Sequence, residues 1–186
     1  MRTALIIVDM VKDFTKPGGA VYYPQNQAVI PAILRVRQAC RDKNVLTVFL
    51  KQTLRAGKED PAFAGMRLNC VEGSGGEELD DAFEVNPEDY VIQKRRYSGF
   101  YGTDLDLVLR ENGIETVVLV GTKTNCCVRA TAEDAFYRNY RVVVLSDCVA
   151  TNSDEVQAVH LEDIRKYLGE VMDSHAFLLR LGKGEY

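Results

Sequence analysis

The sequence predicts a three-layer α/β/α domain around a mostly parallel, Rossmann-like central sheet. Short β-branched runs alternate along the chain with longer segments at helical spacing. The strand-like runs are apolar nearly throughout rather than at every second position, so both of their faces must be covered. The length agrees: 186 residues, 46% hydrophobic and 27% charged, suit one compact core and predict a single domain over residues 1–186.

The elements follow in order. Ala4–Val8, Val45–Leu50, Tyr90–Ile92, Thr116–Val120 and Arg141–Leu145 read as strands. Gln27–Lys43 reads as one helix, with Val29, Ile33, Val36 and Cys40 on a single stripe. Asp104–Asn112 is a helix stopped by Gly113, and Asn125–Arg138 carries Val128, Ala132, Ala135 and Phe136. Asp154–Leu168 follows, with Val156, Val159, Ile164 and Leu168 apolar. The stretch from Lys51 to Asn86 is rich in Gly, Glu and Asp, weakly periodic, and too long for an ordinary connection; it reads as a functional loop or as a surface excursion. The apolar tail Phe177–Leu181 either meets a neighbouring molecule or closes its own domain.

Composition narrows the function. A net charge of −4 is too acidic for a protein that grips polyphosphate through a general basic field, so no nucleic-acid partner is expected. The longest apolar run, Ala4–Val8, falls far short of the roughly 20 residues of a membrane helix, and no membrane partner is expected. Five cysteines, at 40, 70, 126, 127 and 148, form no disulfide scaffold and fit a reducing cytoplasm. With no C-x-x-C and only His160 and His175, a structural zinc site has no local ligand pair. Gly73-Ser74-Gly75-Gly76 lacks the Lys-Ser/Thr ending of a phosphate loop, and no G-x-G-x-x-G follows the first strand.

In an open parallel sheet, ligands bind beyond the carboxyl ends of the strands. The first strand ends at Asp9 and the third at Lys94, and the fourth runs through Gly121-Thr122-Lys123-Thr124 into a helix whose first turn holds Cys126 and Cys127. Taken singly these are a turn former, a solvated charge and a small buried side chain. Together they are an acid, an ammonium and a thiol. A thiol near a helix N-terminus and an ammonium is expected to have a lowered pKa, with Asp9 as its base and no histidine required.

The chain resembles the isochorismatase-like cysteine hydrolases, the superfamily that contains nicotinamidases and N-carbamoylsarcosine amidases. Three blocks carry the resemblance: Ala4-Leu5-Ile6-Ile7-Val8-Asp9-Met10 with Asp13-Phe14, Lys94-Arg95-Arg96-Tyr97-Ser98-Gly99-Phe100 with Gly102-Thr103-Asp104-Leu105, and Gly121-Thr122-Lys123-Thr124-Asn125-Cys126-Cys127-Val128 with Thr131-Ala132 and Asp134-Ala135. The resemblance implies an isochorismatase-like fold and a catalytic triad of Asp9, Lys94 and Cys127. It also implies a cis peptide between Thr122 and Lys123, which would aim the Lys123 and Cys127 N–H groups at an oxyanion. The implied reaction is cleavage of a C–N bond in a small amide or N-carbamoyl or ureido compound through a thioester.

The sequence departs from the nicotinamidase pattern where metal ligands would stand, which here read Gln52, Thr53, Leu54 and about Asn69. No catalytic metal and no cofactor are expected, and the metal-free amidases and ureidoacrylate-type hydrolases are the nearer pattern. Phe14, Gln52, Leu54, Tyr97 and Asn125 are the candidate substrate contacts, although Phe14 and Tyr97 read equally as core aromatics. Arg55 and Arg67 are either anion-binding or solvated. The resemblance further implies a homo-oligomer, a dimer or tetramer. The competing reading is a thiol redox sensor or binding protein using Cys126, Cys127 and Cys148, which would need no aligned carboxylate.

Overall fold

The computed structural model describes residues 2–186. Six strands form one sheet in the order β3-β2-β1-β4-β5-β6, every neighbouring pair parallel. The strands are β1 (Thr3–Val8), β2 (Leu46–Gln52), β3 (Tyr90–Lys94), β4 (Thr116–Thr122), β5 (Arg141–Ala150) and β6 (Glu170–Met172). The helices are α1 (Lys12–Thr15), α2 (Pro24–Ala28), α3 (Ile30–Asp42), α4 (Leu105–Glu111), α5 (Arg129–Tyr137), α6 (Asp154–Tyr167) and α7 (Ser174–Gly182).

The two-sided burial expected of the strands is visible in β1, which is buried at every position. Ala4, Ile6 and Val8 pack in one layer with Leu105, Leu109, Ala132, Ala135 and Ile164 of α4, α5 and α6. Leu5 and Ile7 pack in the other with Ile33, Val36 and Cys40 of α3 and Phe177 and Leu181 of α7. Successive side chains of a strand point to opposite faces, so one apolar run feeds both cores.

Several expected boundaries shift. The segment read as one helix over Gln27–Lys43 is two, interrupted at Val29, with α3 restarting so that Pro31 falls in its first turn, where a missing N–H costs nothing. The helix expected from Asn125 begins as a π-helical turn, Thr124–Val128, before α5. The strands β2, β3, β4 and β5 each run on past their expected ends. The three-residue β6 is too short to show a period, and the sequence's apolar tail is the amphipathic helix α7, which is not among the expected helices. Phe177 and Leu181 are buried within this chain, so the tail closes its own domain. No helix among the described residues is long and apolar enough to cross a membrane.

The long segment after β2 folds back over the carboxyl ends of the strands. Asp13 holds it there, its carboxylate accepting from Cys70 N at 2.5 Å and its N–H donating to Gly76 O at 2.8 Å. Thr15 Oγ1 donates to buried Asp80 at 2.6 Å, and Lys51 pairs with Glu78 at 2.8 Å. A Cβ at Gly76 would lie 2.4 Å from the Asp13 carboxylate, so only glycine lets the loop approach this closely.

Candidate active site

In this strand order the switch point lies between β1 and β4, whose outgoing connections leave toward opposite sides. Asp9 leaves β1 with a φ of 51°, a left-handed conformation that Asp tolerates because its short polar side chain bonds locally. Its own N–H donates to Leu50 O at 2.9 Å. On the other side of the crevice, Gly121 has a φ of 109°, and a Cβ there would lie 2.1 Å from Val8 O. Glycine thus allows the ends of β1 and β4 to meet. The peptide between Thr122 and Lys123 is cis, and the π-helical turn that follows carries Cys127.

Lys94 stands at the end of β3, separated from β1 by β2, a span of about 10 Å between strand axes. Its wholly buried side chain crosses that span and brings Nζ to 2.7 Å from Asp9 Oδ2. Nζ also donates to Gln52 Oε1 at 3.0 Å and to Arg96 O at 3.1 Å. Asp9 Oδ1 accepts from Gln52 N–H at 2.8 Å, while Oδ2 makes no hydrogen bond beyond its ion pair. Burial alone would lower the Lys94 pKa, yet the facing Asp9, with Cys127 adding, raises it above the ordinary lysine value. Lys94 is therefore held as a cation.

Cys127 lies within hydrogen-bond reach of both Asp9 and Lys94. Its pKa is raised, contrary to the lowering expected from the sequence. Burial is the main cause, Asp9 adds to it, and Lys94 opposes it without prevailing. The resting sulfur is a thiol. The turn carrying it is pinned to the segment after β3: Thr131 Oγ1 donates to Cys127 O at 2.7 Å and accepts from Gly99 N at 2.9 Å, and Ser98 Oγ donates to Asp134. This network ties Ser98 and Gly99 of the second sequence block to Thr131 and Asp134 of the third.

Cys127 opens into a cavity of about 250 Å³, with Asp9 and Lys94 behind it rather than in its lining. Of the candidate contacts, Phe14, Gln52, Leu54 and Tyr97 line it, with Lys123, Cys126 and Cys127. Asn125 does not; its Oδ1 accepts from Thr151 Oγ1 at 2.8 Å instead. Arg67 lines the cavity and Arg55 does not. Val21, Tyr23, Asn26, Phe63 and Met66 also line it and were not foreseen, and Asn69, expected only at the place of a missing metal ligand, lines it too. They come from irregular or short segments whose sequence has no period to read. Asn26 is wholly buried, its Nδ2 donating to Phe14 O at 3.0 Å and its Oδ1 accepting from Thr122 Oγ1 at 2.7 Å. Lys123 Nζ lies 4.9 Å from the Tyr23 ring centre, and Phe63 meets Tyr97 edge-on at 5.6 Å.

The positions where the nicotinamidase pattern has metal ligands supply an alkyl side chain, Leu54, and two neutral amides, Gln52 and Asn69. Such a set lacks the imidazole and carboxylate donors that a divalent transition metal takes. A larger hollow of about 510 Å³ lies at the amino ends of β1 and β2, among Arg2, Arg41 and Tyr186, and holds none of the converging groups. The five cysteines are unpaired. Cys148 packs in the layer of α3 and α7, on the opposite face of the sheet from Cys127, which removes it as a resolving partner.

The family model described as "Isochorismatase domain" matches residues 3–176. An isochorismatase-like hydrolase from Alkaliphilus metalliredigens superposes with a TM-score of 0.92 at 32% identity, covering 97% of this chain and 100% of that one. An N-carbamoylsarcosine amidase from Thermoplasma acidophilum superposes with a TM-score of 0.85 at 35% identity, covering 94% and 97%. A ureidoacrylate amidohydrolase from Acinetobacter baylyi is 30% identical over 204 residues, 95% of this chain and 82% of its own length.

Proposed function

The chain belongs to the isochorismatase family, and from that premise we propose that it is a cysteine hydrolase that cleaves a C–N bond of a small amide or N-carbamoyl or ureido compound without a catalytic metal. The observation that carries the reading is the buried Asp9–Lys94 pair with the Cys127 thiol in reach, at the floor of a ligand-sized cavity. The C–N hydrolases among its relatives support it.

A buried thiol needs a base at the moment of attack, and Asp9 Oδ2 is a buried carboxylate oxygen whose one partner is the Lys94 ammonium. Asp9 takes the Sγ proton as sulfur bonds to the carbonyl carbon. The resulting oxyanion is received by the N–H groups of Lys123 and Cys127. Collapse breaks the C–N bond, and the nitrogen takes the proton from Asp9 and leaves as ammonia or amine. Water, deprotonated by Asp9, then attacks the thioester; the C–S bond breaks and sulfur recovers the proton. Lys94 offsets the negative charge of Asp9 at rest and of the thiolate as it forms.

Cytoplasmic residence and assembly as a dimer or tetramer belong to the same reading. With Phe177 and Leu181 buried, the assembly would use other surfaces, such as exposed Leu107, Phe136 and Tyr137. The test is ammonia release from a panel of small amides and ureides, nicotinamide and N-carbamoyl amino acids included, in wild type and Cys127→Ala, with and without chelator. Release that disappears in the variant and survives chelation is expected. Release that chelator abolishes, or that persists without Cys127, overturns the reading.

A further inference from the structure

The side-chain amide of Gln52 is held in one orientation. Lys94 Nζ can only donate, and it donates to Gln52 Oε1, so the carbonyl end of the amide faces the lysine and the NH2 end faces away. The Gln52 main chain is fixed as well, through its N–H to Asp9 Oδ1 and through its register with Lys94 across β2 and β3. Nε2 donates to no group among the described residues. Gln52 is only 5% exposed, and that exposure faces the cavity it lines beside Cys127. The NH2 end thus stands at the cavity surface with its donors available to whatever the cavity holds. No Asp or Glu lines the cavity, and the nearby Asn26 spends its amide on Phe14 and Thr122.

We propose that Gln52 is a specificity-determining residue whose Nε2 donates to a hydrogen-bond acceptor flanking the scissile amide of the substrate. The acceptor is a carbonyl, carboxylate or ring nitrogen; a substrate presenting an N–H or an alkyl group there leaves the donor unpaired. The inference rests on the amidase reading for which bond is cut, and on the locked amide for which neighbours of that bond are admitted. Lys94 thus has a second consequence: by occupying Oε1 it removes the flip that would otherwise let Gln52 accept as readily as donate.

The experiment is calorimetric binding to Cys127→Ala of benzamide and of the three pyridinecarboxamides, flat primary amides of one shape that differ by a ring nitrogen in place of C–H. At least one pyridinecarboxamide is expected to bind about five- to tenfold tighter than benzamide, the worth of one neutral hydrogen bond. Gln52→Leu in the same background draws that ratio to about one. Gln52→Glu keeps an acceptor for Lys94 but presents an oxygen to the cavity, and drives the ratio below one. Equal affinities before substitution, no binding of any of the four at millimolar concentration, or a ratio unmoved by both substitutions overturns the proposal. Binding to Cys127→Ala requires no turnover, so failure of the amidase reading shows separately, as a wild type that releases no ammonia.

Discussion

Lys94 Nζ lies 2.7 Å from Asp9 Oδ2 although the two residues leave strands that are not neighbours, and neither side chain is exposed. The pair forms over the end of β2, whose Gln52 contacts both partners, through its main-chain N–H to Asp9 and its side-chain oxygen to Lys94. Charge, orientation and enclosure therefore come from three adjacent strand ends at once.

Removing one member of a buried pair leaves the other charge uncompensated, at a cost of about 3–5 kcal/mol. Lys94→Ala is expected to abolish ammonia release and to lower the urea midpoint markedly. Asp9→Asn combined with Lys94→Met restores much of that stability and none of the activity. Near wild-type turnover in Lys94→Ala would sink the triad.

The buried thiols make stability depend on alkaline pH. Burial pushes Cys40 up to about 12, and burial with the neighbouring Asp147 pushes Cys148 up to about 12. Unfolded thiols ionise near pH 8.5, so above that value the unfolded chain holds fewer protons than the folded one and stability falls as pH rises. The contribution is complete at neutral pH and fades toward pH 12. Near pH 10.5 each such thiol accounts for about 2 kcal/mol of the loss. Unfolding free energies at about pH 8 and 10.5 should therefore differ by that much less in Cys40→Val than in wild type; equal differences would refute the assignment.

Gly121→Ala places a methyl group against the Val8 carbonyl at a backbone angle that alanine resists. A loss of about 3 kcal/mol or more is expected in chemical unfolding. Because Val8 precedes Asp9, whatever folded protein remains should also turn over slowly. A variant with wild-type stability would mean that β1 and β4 are free to separate at this point.

Asn26→Ala leaves the Phe14 carbonyl without its partner, while the Thr122 hydroxyl keeps Ala150 O as an acceptor at 3.3 Å. The expected cost is about 1–3 kcal/mol for the carbonyl left unpaired. Phe14 lines the cavity, so KM should rise more than kcat falls. Unchanged steady-state constants would show that Asn26 supports the fold alone.

Periodicity and turn residues determined much of this protein from its sequence alone. The apolar runs announce a parallel sheet covered on both faces, and β1 feeds both cores as those runs require. The same runs show where β1 ends and that β4 runs toward the same edge, and so place Asp9 and the Cys126–Cys127 turn together there. Tertiary structure decided what local pattern cannot encode. Lys94 reaches Asp9 across an intervening strand, Asn125 turns away to Thr151, and Phe63, Met66 and Asn69 fold back over the site from a segment without period. The raised pKa of Cys127 is the clearest case, since a helix end and an ammonium nearby argue for the opposite shift. Backbone periodicity is a property of residues a few positions apart, whereas burial and dielectric are set by atoms that arrive from the rest of the chain.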